Sequence, residues 1–287
     1  MALISLKEIL SDAKQKKYGV FATNAFSFEM AEVIVEAAEE KNSPVILMMA
    51  EDLFKFLNPE RTASAIISMI KDAKVPVVFH LDHGNNFDVA MKCIRWGLSS
   101  IMFDGSNLPL KENIKIVKEL KRISIPSNIS VEAEVGYVGG LEAREKTEGQ
   151  EGIDTNDYTK VEDAVRFVNE TEVDALAVAV GTIHGVFRFK PNLDFNRIKE
   201  IKDAVETPLV LHGSSGLSDE DFKKAISCGI TKINYFTGLV TEAGKKAKEI
   251  ACGKNDFTYM MLNKSVMEAV KEKIKKKMDL FGSTGKA

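Results

Sequence analysis

Cysteine is scarce in this chain. Three occur in 287 residues, Cys93, Cys228 and Cys252, far apart and with no CxxC pair. That excludes a disulfide framework and a cysteine-rich zinc module, and it fits reduced thiols in a cytoplasmic protein. Charge of one sign is also missing: 39 Lys and Arg against 42 Asp and Glu leave a net charge of -3. Nucleic acid and membrane surfaces are therefore not expected partners. No run is long and apolar enough to span a bilayer. The opening "MALISLKEILSDAKQKK" is charged within its first turns, lacks the apolar core of a signal peptide, and reads as an amphipathic helix. Histidine is nearly as rare, with only His80, His83, His184 and His212.

What the chain does contain is a regular alternation. Eight short apolar runs, "YGVFATN", "SPVILMM", "VPVVFHLDH", "SSIMFDGS", "NISVEAEV", "ALAVAVGTIHG", "TPLVLHGSSG" and "TKINYFTG", are separated by segments of helical spacing. Met30, Ile34, Ala37 and Ala38 show that spacing, as do Phe87, Ala90, Met91 and Ile94. Continuous apolar runs suit parallel strands covered on both faces. Eight such units predict a (β/α)₈ TIM barrel over residues 1–287, one domain with an N-terminal helix and a C-terminal helical extension. An open doubly wound sheet is the alternative, but no G-x-G-x-x-G follows the first run. After the fifth run comes a connection of unusual length, "GYVGGLEAREKTEGQEGIDTND", and loops of that kind tend to be functional.

In a barrel the C-terminal strand ends converge on one mouth. Asp82 and His83 end the third run, Asp104 the fourth, Glu134 the fifth, His184 the sixth, His212 the seventh and Asn234 the eighth. Three imidazoles with one open position describe a catalytic zinc site. Glycine follows His83, His184 and His212 directly, where it would let backbone approach a metal or ligand. His80 lies inside its run and is expected to be a buried, hydrogen-bonded residue. "HGSSG" and "NYFTG" fall after strands seven and eight, where barrels build phosphate sites. Asp82 beside a metal suits general acid/base chemistry, as does Glu142 in the long connection. Asp104 and Glu134 offer either a second cation position or outer support for the imidazoles.

These segments, "HLDHG", "SIMFDGS", "VEAEVGYVGG", "VGTIHG", "PLVLHGSSG" and "KINYFT", resemble the class II, metal-dependent fructose-bisphosphate and tagatose-bisphosphate aldolases in that order, from "KKYGVFATNAF" to "FGSTGKA". The resemblance implies a zinc ion on His83, His184 and His212, an alternative metal position at Asp104 and Glu134, and proton transfer at the C4 hydroxyl by Asp82 and at C3 by Glu142. It implies phosphate binding by Gly185, Gly213, Ser215 and Thr237, and substrate contacts from Asn24, Arg188 and Asn234. The implied reaction is reversible cleavage of a ketose 1,6-bisphosphate to dihydroxyacetone phosphate and an aldehyde, by a homodimer or homotetramer. Zinc would stabilise the enediolate as a Lewis acid. A Schiff-base route needs an interior lysine; strand six has none, and Lys232 is expected at the opposite rim.

The chain departs from the family pattern at Ala50, where a hydroxyl residue is usual, and at Asn107, Arg188 and Gly238. Tyr235 and Phe236 stand where small or polar residues are usual, and are expected to alter the pocket around the aldehyde half. A metal-dependent sugar-phosphate isomerase or epimerase, and a non-catalytic sugar-phosphate-binding homologue, are the competing functions.

Overall fold

Strands buried along their length, but for His83 in the third, alternate with helices that bury one face, as the sequence pattern requires. The computed structural model describes residues 2–139, 157–185, 191–253 and 256–287. The first half runs α1 (Leu6–Lys16), β1 (Val20–Asn24), α2 (Phe28–Glu40), β2 (Val45–Ala50), α3 (Pro59–Lys71), β3 (Val77–Gly84), α4 (Phe87–Trp96), β4 (Ser100–Phe103), α5 (Leu110–Ser124) and β5 (Ser130–Val135). The second runs α6 (Val161–Thr171), β6 (Ala175–Val178), α7 (Phe195–Ala204), β7 (Leu209–Leu211), α8 (Asp219–Cys228), β8 (Ile230–Asn234), α9 (Thr237–Ala251) and α10 (Tyr259–Phe281). The strands pair in parallel and in sequence order, and β8 closes on β1. This is the (β/α)₈ barrel that the eight apolar runs predict. Among the described residues, no helix is long and apolar enough to cross a membrane.

Period-two alternation divides the strand residues between two layers. Outward residues such as Phe21, Leu47, Phe79, Val131, Leu176 and Ile233 pack under the helices. Inward residues Val20, Ala22, Ile46, Met48, Val78, Met102, Ala175, Ala177 and Val210 form a second cluster with Leu6, Ile9, Leu10 and Ala13 of α1. Helix α1 thus closes the N-terminal end of the barrel. Its start is fixed by a capping box: Ser5 Oγ accepts from Glu8 N, and the Glu8 carboxylate accepts from Ser5 N.

Above this apolar floor the interior turns polar. Lys232 is not at the opposite rim. It lies in the middle of β8, fully buried, with Nζ donating to Glu132 Oε2 at 2.8 Å and Oε1 at 3.0 Å. Asn234 faces the mouth, and Lys232, two residues earlier on the same strand, must share its face. His80 is buried and bonded as expected, its Nδ1 2.9 Å from Ser100 Oγ.

Candidate metal centre at the barrel mouth

A regular strand sends neighbouring side chains to opposite faces, so Asp82 and His83 should not both reach the mouth. They do because β3 bulges. Its register against β4 steps from Leu81↔Ile101 to Gly84↔Phe103, one extra residue on β3, and His83 takes φ 47°. The bulge needs the glycine that follows: a Cβ on Gly84 would lie 2.7 Å from the Met102 carbonyl oxygen. Gly213, at φ +62°, would bring a Cβ within 2.5 Å of the Ile183 oxygen. Both glycines admit neighbouring backbone at a distance that no side chain would allow.

His184 also differs from expectation in its origin. Strand β6 ends at Val178, and His184 arrives on the following turn, held by its N–H to the Gly139 oxygen at 2.8 Å. Asp104 and His212 each stand one residue beyond their strands. The three rings still meet. The His83 centroid lies 4.7 Å from that of His184 and 4.6 Å from that of His212. One nitrogen from each histidine lies within 4.8 Å of the others; a second set of the same kind is His83, Asp104 and Glu134.

Hydrogen bonding sets which nitrogen each ring presents. His83 Nδ1 lies 2.8 Å from Asp104 Oδ2, and His212 Nε2 lies 3.0 Å from Glu132 Oε1. A carboxylate only accepts, so those nitrogens carry protons. His83 Nε2 then faces inward, buried and without a hydrogen-bond partner among the described residues. His212 Nδ1 accepts from Asn234 Nδ2 at 3.1 Å. Burial opposes charge on His83, but Asp82, Asp104 and Glu134 overcome it and raise its pKa well above the usual imidazole value. Burial first, then the His83 charge, holds His212 neutral. A buried cluster that favours positive charge and presents imidazole nitrogens fits a divalent metal ion.

Asp82 is fully buried at the edge of this cluster. Its Oδ2 accepts from Asn24 Nδ2 at 2.7 Å and its Oδ1 from Asn234 Nδ2 at 3.0 Å. Burial pushes its pKa up, but His83, His212, Lys232 and the Asn24 bond bring it below the usual carboxylate value. Glu134 moves the other way: burial first, then Asp104, raises it to about 8. The loops of the expected phosphate site meet as well. Ser215 Oγ accepts from Gly238 N at 3.0 Å, and Thr237 opens α9. A helix N-terminus of this kind is a natural anion site. Glu142 and Arg188 lie outside the described residues.

One expectation about the pocket wall needs correction. Tyr235 does not face the mouth. Its ring packs between barrel and helices, 6.4 Å from Phe21 and 6.2 Å from Phe222 by centroid. This also explains Gly238: a Cβ there would fall 2.3 Å from the Tyr235 hydroxyl. Alanine normally beats glycine in a helix by about 1 kcal/mol. Gly238→Ala should instead destabilise by about 1–3 kcal/mol through overpacking. In a Tyr235→Val background that penalty should vanish, and a double-mutant cycle of thermal unfolding checks the coupling. Phe236, by contrast, does stand at the mouth. It packs with Ala50 and Leu53, and its ring meets Phe26 edge-on at 6.4 Å.

A closed parallel barrel whose strand ends gather three imidazoles, buried carboxylates and an anion-ready helix terminus defines a (β/α)₈ enzyme scaffold with a candidate metal centre. The family model described as fructose-bisphosphate aldolase class-II matches residues 4–286. The 6-phospho-5-dehydro-2-deoxy-D-gluconate aldolase of Bacillus licheniformis is 39% identical, covering 100% of this chain and 97% of its own. The sulfofructosephosphate aldolase of Alkalicoccus urumqiensis is 37% identical, covering 100% and 99%. The crystal structure of the YdjI aldolase from Escherichia coli K12 superposes with TM-score 0.86 at 36% identity, covering 99% of each chain. The chain belongs to the class II fructose-bisphosphate aldolase family. It is an aldolase, a carbon–carbon lyase.

Sequence reasoning missed Glu132 and the interior place of Lys232. The signal was present: Glu132 stands two residues before Glu134, and Lys232 two before Asn234, so each pair shares a barrel face.

Proposed function

We propose that this protein is a zinc-dependent aldolase that reversibly cleaves a ketose 1-phosphate, of the 1,6-bisphosphate type, to dihydroxyacetone phosphate and an aldehyde. The observation that carries this reading is the Asp82 carboxylate beside three converging imidazoles. His83, His184 and His212 would hold the ion. When bound, the ion supplies Lewis-acid stabilisation of the enediolate charge that cleavage leaves. Asp82, oriented by Asn24 and Asn234, accepts the proton of the C4 hydroxyl. Gly185, Gly213, Ser215 and Thr237 bind the phosphate through the loops after β6, β7 and β8. Glu142 is assigned the C3 proton by its place in the family pattern, and Arg188 a substrate contact on the same ground. A cytoplasmic homodimer or homotetramer belongs to the same reading. Triose phosphate release from a panel of sugar phosphates tests the reaction. Isomerised or epimerised product without triose phosphate would contradict it.

The relatives are named for different substrates, so family membership leaves the aldehyde half open. The wall formed by Phe26, Ala50, Leu53, Phe236 and Val240 bears on that half. Ala50 is paired in register with Asp82 and is buried against the Phe236 cluster. A hydroxyl placed there meets apolar surface and loses its solvation, at a cost of about 1–3 kcal/mol. Ala50→Ser should therefore be less stable and no faster on fructose or tagatose bisphosphate. A higher kcat on either would show that a hydroxyl at position 50 reaches the reacting groups and that this wall does not exclude it.

A further inference from the structure

Below the three histidines lies a chain of buried polar groups that the proposed proton transfers do not use. Lys232, Glu132, His80, Ser100 and His212 are almost wholly shielded from solvent. The Lys232 ammonium has three protons to place. Two go to Glu132 Oε1 and Oε2, and His80 Nε2 lies 3.5 Å away in the third direction. His80 Nε2 then accepts, so its Nδ1 carries the ring proton and donates to Ser100 Oγ at 2.9 Å. Ser100 Oγ donates in turn to the Ser130 oxygen at 3.3 Å. On the other side, Glu132 Oε1 accepts from His212 Nε2. Every proton in the chain has one consistent place.

We propose that Glu132, clamped by Lys232, is a positioning residue that fixes His212 as its Nε2–H tautomer and aims the Nδ1 lone pair into the mouth to bind a divalent metal ion. This rests on the reading of His83, His184 and His212 as the ligand set. The orientation follows from the directions of the bonds: Glu132 holds Nε2, and Nδ1 points to the mouth beside Asn234 Nδ2, 3.1 Å away, whose proton must give way when the ion binds. With both carboxylate oxygens engaged by one ammonium, Glu132 cannot swing away from His212 without breaking a fully buried ion pair. His212 in the other tautomer would present an N–H to the mouth and leave Nε2, a bare acceptor, facing a carboxylate. Carboxylates that orient a liganding imidazole in this way typically contribute 10–100-fold to metal affinity.

The test is zinc affinity of the metal-free protein, measured by competition with a chromogenic chelator, together with ring nitrogen shifts of His212 by NMR. The double variant Glu132→Gln/Lys232→Met removes both charges and leaves no buried ion unpaired, so the barrel should keep its thermal midpoint. Its zinc dissociation constant should rise about 10–100-fold, and His212 should lose its single Nε2–H signature. Glu132→Asp, with Lys232 retained, withdraws the carboxylate from Nε2 by one methylene while keeping the ion pair; it should lose affinity as well. If either variant is folded and binds zinc as tightly as the wild type, Glu132 is only structural and the proposal fails. If the wild type itself takes up no zinc, the three-histidine reading fails first, and this proposal with it.

Discussion

His212→Ala should lose its metal and its aldolase activity while the barrel stays folded. His212 is fully buried between Glu132 below and Asn234 beside it, with the His83 and His184 rings across the mouth. Alanine leaves two imidazoles, and metal affinity should fall by more than the ~100-fold that outer changes cost. Stability should suffer less. Glu132 loses one donor but keeps Lys232, and Asn234 loses one acceptor but keeps Asp82, so the loss is that of two buried hydrogen bonds, about 1–3 kcal/mol each. Elemental analysis and circular dichroism on the same sample decide the matter. A folded variant with full metal occupancy would end the three-histidine account.

Asp82→Asn should show the opposite pattern: metal and substrate retained, turnover reduced by roughly 10²–10⁴-fold. The structure gives the reason. Both Asp82 oxygens accept from side-chain amides, Asn24 on one side and Asn234 on the other. An asparagine keeps one acceptor for Asn234, and its own amide N–H is accepted once the Asn24 amide turns its oxygen toward it, so the pocket persists but the base is gone. KM should change little compared with kcat. The depressed pKa of Asp82 adds a pH statement. A carboxyl held below its usual value remains a base as pH falls through the ordinary carboxylate range near 4. The wild-type acid limb should therefore come from metal loss, as protons compete with the ion for the ligand imidazoles. Wild-type turnover in Asp82→Asn would move the proton transfer to another group.

The barrel was legible because its strands are apolar on both faces and its helices on one. The mouth was legible because the few histidines fall at run ends: His83, His184 and His212 do converge. Other features were hidden for identifiable reasons. No spacing rule reveals that β3 carries one extra residue with His83 at positive φ, since the bulge depends on how closely Gly84 approaches β4. The turn that delivers His184 reads, in sequence, like more strand. The motif around Tyr235 points to the pocket, yet Tyr235 adjoins inward-facing Asn234 and so faces outward. The same alternation would have placed Lys232 and Glu132 inside.

The central claim is that one metal ion on three histidines, and not a lysine, supports carbon–carbon cleavage in this barrel. Lys232 makes the contrast sharp, because it is an interior lysine beside the histidine layer. The direct test strips the protein with a chelator, titrates zinc back, and follows triose phosphate release from a ketose phosphate that the enzyme cleaves, with borohydride present in a parallel sample. The account predicts that activity disappears on stripping, returns in proportion to zinc and saturates at about one ion per chain, and that borohydride traps no substrate on the protein. Activity that survives stripping, with substrate reduced onto Lys232, would contradict it.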